Sequence, residues 1–141
     1  MGNKANKSKD SILADTKDLL KLYDRVTWHL TNARRHHGAV KKFEDAGYEI
    51  IHCFTVAKAI TGDGADEKSR RKTYIERLIG SFGEMLAAFE ILMDMKVMTQ
   101  KRSDKESAGE MYLFSDTAKL EIARLLERID EGAKKWHNSI K

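Results

Sequence analysis

Proline is missing from this chain of 141 residues. A proline inside a helix removes a backbone donor and clashes with the preceding turn, so its absence leaves long helical runs without a built-in break. Cysteine occurs once, at Cys53, which excludes an internal disulfide. No leader-like segment precedes the first helical pattern, and the expectation is a reducing, cytoplasmic setting. Long apolar runs are also missing: Glu90 and Asp94 interrupt even the richest stretch, 85–98, so no membrane-spanning helix is expected. The start Met-Gly-Asn-Lys-Ala-Asn has Asn6 where N-myristoylation needs Ser or Thr. The glycines at 62 and 64 are not followed by the Gly-Lys-Ser/Thr of a phosphate-binding loop.

What the chain does have is apolar side chains at steps of three and four, the signature of helices with one buried face. Residues 1–10, rich in Lys, Asn and Ser, read as a disordered basic tail, and 11–141 as one four-helix-bundle domain. Helix one covers 11–36 through Leu19, Tyr23, Val26, Leu30 and Ala33. After Gly38, helix two carries Val40, Phe43, Gly47, Ile50, Phe54 and Ala57, and the run 61–66 is turn chemistry. Helix three is placed at 67–97 with Ile75, Leu78, Phe82, Met85, Phe89 and Leu92 as its stripe. Residues 99–114 read as a solvated loop, with Ser103-Asp104-Lys105-Glu106 as a capping box in the competing reading. Ser115 or Asp116 then caps helix four, whose stripe is Ala118, Ile122, Leu125, Ile129, Ala133, Trp136 and Ile140. Short connections make the expected fold class all-α, an up-down-up-down four-helix bundle. Leu20, Trp28 and Ile51 lie off these stripes; they form either a wide core face or a second apolar strip for self-association.

Catalytic and metal-binding patterns do not assemble. Di-metal bundles use two Glu-x-x-His pairs, and Glu49-Ile50-Ile51-His52 is a single copy. His36 and His37 are consecutive and diverge by about 100° on a helix, while His29 and His137 lack close companions. No arginine is followed by histidine at the spacing of Arg-x4-6-His helical ribonucleases, and Cys53 has no activating base beside it. The expectation is therefore a protein that is not an enzyme, with no metal and no cofactor.

Charge is more informative. Lys and Arg number 26 against 22 Asp and Glu, and the isoelectric point is about 9.1. The basic residues cluster: Arg34 and Arg35 with Lys41 and Lys42 around the first connection; Lys68, Arg70, Arg71 and Lys72 at the start of helix three; Lys96, Lys101, Arg102 and Lys105 around the long loop; Lys134, Lys135 and Lys141 at the end. In an up-down bundle the first and third groups share one end, and the second and fourth share the other. Basic ends suit phosphate backbones, which require charge and reach rather than base reading. The plainer reading is that these cations keep a bundle soluble. The residues assigned to nucleic-acid contact are Arg34, Arg35, Lys41, Lys42, Arg70, Arg71, Lys72, Lys134 and Lys135.

Three stretches carry a family resemblance: Leu22-Tyr23-Asp24-Arg25-Val26; Gly80-Ser81-Phe82-Gly83-Glu84-Met85 with Ile91-Leu92-Met93-Asp94-Met95-Lys96-Val97-Met98-Thr99; and Ile129-Asp130-Glu131-Gly132-Ala133-Lys134-Lys135-Trp136. Over residues 19–141 the chain resembles a family of small four-helix-bundle proteins. That family includes the intervening-sequence proteins of ribosomal RNA genes and Avd, the accessory variability determinant of diversity-generating retroelements. The resemblance implies a homopentameric barrel that binds RNA or DNA and, for Avd, partners a reverse transcriptase copying template RNA into mutagenised complementary DNA. Two other readings stand beside it: a scaffold of this family with no retroelement partner, and a metal-dependent bundle enzyme.

Overall fold

The computed structural model describes residues 3–27, 38–98 and 109–140. Among them are four helices, α1 (Asn3–Thr27), α2 (Gly38–Ala59), α3 (Ala65–Leu92) and α4 (Asp116–Ser139), and two short strands, β1 (Lys96–Met98) and β2 (Glu110–Tyr112). Of the α1 stripe Leu19 and Tyr23 are buried and Val26 is half-buried, while Leu30 and Ala33 lie outside the described residues. The other three helices bury the stripes that their spacing marks, with Ile140 at the end half-buried. Val40, Phe43, Ile50 and Phe54 of α2, Ile75, Leu78, Met85 and Leu92 of α3, and Ile122, Leu125, Ile129 and Trp136 of α4 belong to one buried core. Ser115 caps α4 by accepting the Ala118 N–H at 3.1 Å, and Asp116 complements the positive end of the helix dipole. In the turn between α2 and α3, Gly62 has φ +108°, a conformation that side chains disfavour.

Contacts between distant residues set the helix directions. Phe43 of α2 packs on Phe89 of α3, while Glu49 meets Arg77. Asp15 of α1 accepts from Arg128 Nε at 3.0 Å, while Tyr23 packs on Phe114, just before α4. Each pairing advances along one helix while receding along the other, so sequential neighbours run antiparallel and α4 closes back on α1. Gly47 allows α1 close to α2, since a Cβ there would lie 2.7 Å from Leu20 Cδ2 and 3.1 Å from Met85 Cε. Leu20 thereby joins the wide core face. Ile51 is half-buried, and Trp28 lies outside the described residues.

The structure corrects three boundaries. α1 begins at Asn3, ahead of the start at residue 11 that apolar spacing gives. α3 stops at Leu92 rather than continuing to 97, without glycine or proline to end it. There the Met95 N–H bonds the Leu92 carbonyl, and the Met95 carbonyl accepts the Leu113 N–H at 2.8 Å. The expected solvated loop at 99–114 is, in its described part, β2 and two buried residues: Lys96 pairs with Tyr112, Val97 with Met111 and Met98 with Glu110, and Leu113 and Phe114 enter the core. Three-residue strands are too short for alternation to announce them, and burial of Val97, Leu113 and Phe114 is what holds the ribbon in place. The proposed capping box at 103–106 lies outside the described residues.

Candidate nucleic-acid interface

The antiparallel arrangement brings basic residues distant in sequence into two groups. At the hairpin end, Lys41 and Lys42 sit in the first turn of α2, near the end of α3, and Lys96 and Lys119 flank β2 and the start of α4. At the turn end, Arg70, Arg71 and Lys72 lie early in α3. Lys134 and Lys135 are in the half of α4 that meets early α3, where His137 and Glu76 approach to 3.1 Å. Arg34 and Arg35 lie outside the described residues.

These cations differ in availability. Lys42, Arg70 and Lys135 are exposed. Lys41 pairs with Asp45 at 3.3 Å and Lys134 with Asp130 at 2.9 Å. Exposed i,i+4 pairs of this kind contribute about 0.3–0.5 kcal/mol, so a phosphate can displace the carboxylate. Arg71 differs in kind: its Nη1 donates to the Ile60 carbonyl at 3.1 Å and the Gly62 carbonyl at 3.2 Å, binding the end of α2 to the turn. A side chain so engaged is a structural clamp before it is a phosphate contact.

The groove between α2 and α3, about 500 Å³, is lined by Lys41 and Lys42 but also by Asp45, Glu49 and Glu84. Three carboxylates make it a poor bed for a polyanion. Lys42 at one end of the bundle, and Arg70 and Lys135 at the other, are exposed.

Tyr112 and its neighbours are what helix-based reasoning missed. Tyr112 is 49% exposed, with Lys96 Nζ 5.1 Å and Lys119 Nζ 4.5 Å from its ring centroid. The signal was a basic residue at each end of the segment and an aromatic just before the α4 cap, but pairing across the ribbon is what brings the three together.

Cys53 is buried, and its Sγ donates to Glu49 Oε1 at 3.4 Å; burial, reinforced by the Glu49 carboxylate, pushes the thiol up to about 11, away from a nucleophilic thiolate. Glu49 is also paired with Arg77 at 3.3 Å. Among the described residues no group of three His, Cys, Asp or Glu side chains could hold a metal ion, and no helix is long and apolar enough to cross a membrane. No protein-family model matches the chain, and no curated protein or solved structure matches it either.

Proposed function

We propose that this chain is a nucleic-acid-binding accessory protein without chemistry of its own. In this reading it is Avd-like: a cytoplasmic homopentamer that holds template RNA beside the reverse transcriptase of a diversity-generating retroelement during mutagenic complementary-DNA synthesis. The observation that carries the reading is the gathering of Lys41 and Lys42, and of Arg70 and Lys72, onto opposite ends of one bundle, each pair in the early turns of a helix. At a helix N-terminus the partial positive charge of the unpaired N–H groups adds to that of the lysines and arginines. The three stretches of sequence resemblance supply the partner. Assembly would multiply the basic ends, so that a bound template meets several at high effective concentration.

The reading expects a reverse-transcriptase gene in the genomic neighbourhood, and the test is template-primed complementary-DNA synthesis by that enzyme. Lys41→Glu with Lys42→Glu should abolish product, while light scattering reports an unchanged assembly mass and the polymerase still extends a generic primed template. Full product with the protein omitted, or no co-purifying complex at low salt, overturns the accessory role in favour of a scaffold without a retroelement partner.

A further inference from the structure

About half the surface of Tyr112, the last residue of β2, faces solvent, although Leu113 and Phe114, which follow it, are buried. Lys96, directly opposite in the ribbon, and Lys119, from the first turn of α4, bring their ammonium groups over its ring. Neither has a carboxylate partner among the described residues, in contrast to Lys41, Lys134, Arg77, Arg124 and Arg128. Two cations resting over a half-exposed ring form a π face capped by positive charge.

We propose that this face of the hairpin is a contact for single-stranded nucleic acid, in which one unpaired base stacks on Tyr112 and the adjoining phosphates take the ammonium groups of Lys96 and Lys119. The inference rests on the nucleic-acid reading above and adds strand type to it. Drawing the two lysines onto phosphates uncovers the ring, and every base has a π face to offer, so the contact is tolerant of sequence. A duplex keeps its bases stacked inside and presents phosphates alone, leaving the ring unused. An acidic peptide would satisfy the lysines but not the ring.

The experiment measures binding of a labelled oligothymidylate and of its duplex with oligoadenylate across a salt series. The proteins are wild type, Tyr112→Phe, Tyr112→Leu and the double variant Lys96→Gln with Lys119→Gln; circular dichroism checks that each keeps its helices. Tyr112→Leu should weaken single-strand binding about tenfold with no change in salt slope, because base stacking on an aromatic ring is uncharged. Tyr112→Phe should bind as wild type does, and duplex affinity should not respond to either change. The double lysine variant should reduce the single-strand log–log slope by about 1.4, from about 0.7 for each phosphate contact. Wild-type binding that is indifferent to Tyr112→Leu, an equal loss on duplex, or displacement of the oligothymidylate by polyglutamate with the same Tyr112 dependence overturns this inference and leaves the nucleic-acid reading standing. Failure of wild type to bind either form at low salt removes both.

Discussion

At the hairpin end, four rings meet: Tyr23 of α1, Phe43 of α2, Phe89 of α3 and Phe114 from the segment before α4, with centroids 4.4–6.4 Å apart. Tyr23 also donates its hydroxyl to the Val40 carbonyl at 2.8 Å, and burial, with Glu44 nearby, raises its phenol pKa well above the ordinary value. At the turn end the rings are Phe54 and Trp136, 5.5 Å apart, and α2 passes to α3 through a short turn fastened by Arg71. Residues far apart in sequence thus meet at both ends, but the hairpin end gathers four rings where the turn end has two and adds the Arg71 hydrogen bonds to its own turn. The difference teaches that stability and ligand contact need not share residues. The hairpin end keeps its aromatic packing inside and Lys42 and Lys96 exposed, whereas the turn end commits one of its three clustered α3 cations to the fold.

The largest effect should come from breaking the ring cluster. Phe43→Ala removes a fully buried side chain between Tyr23 and Phe89 and should cost about 3–5 kcal/mol, read as the shift in urea midpoint. A smaller loss would mean that the other three rings can close over the cavity. Next comes Tyr23→Phe, which keeps the ring but leaves the Val40 carbonyl without its hydroxyl partner; about 1–3 kcal/mol is expected by the same measurement.

The turn end should separate its two roles. Arg71→Ala should cost about 1 kcal/mol through the two lost hydrogen bonds. Arg70→Ala, on an exposed side chain, should change stability by no more than about 0.5 kcal/mol while lowering the salt slope of nucleic-acid binding. Equal stability losses in the two variants would erase the distinction between clamp and contact. The last pair of changes concerns helix starts. Ser115→Ala should cost about 1 kcal/mol by removing the α4 cap. Gly64→Ser, at the α3 start where no side chain caps, should gain a few tenths of a kcal/mol, provided that the Glu67 carboxylate swings away. Both shifts are measurable by thermal unfolding.

The sequence by itself determined the helices and their buried faces, because a three-and-four spacing of Leu, Ile, Phe and Met can place those side chains on one side only if the backbone is helical. It also determined the capping of α4, since Ser115 acts on a backbone group three residues away. Tertiary structure decided the rest. The end of α3 at Leu92 carries no local stop signal; β2 pulls the chain out of the helix by accepting and donating across the ribbon. The fate of each basic residue was equally hidden, because Arg70, Arg71 and Lys72 are alike in sequence, and only the nearness of the Ile60 and Gly62 carbonyls turns Arg71 inward. Tyr112, Lys96 and Lys119 are separated along the chain, and a strand pairing together with a helix start brings them to one surface. Local spacing encodes what a residue does within its own element, whereas charge and π contacts depend on which elements meet, and that is set by the packing of the whole core.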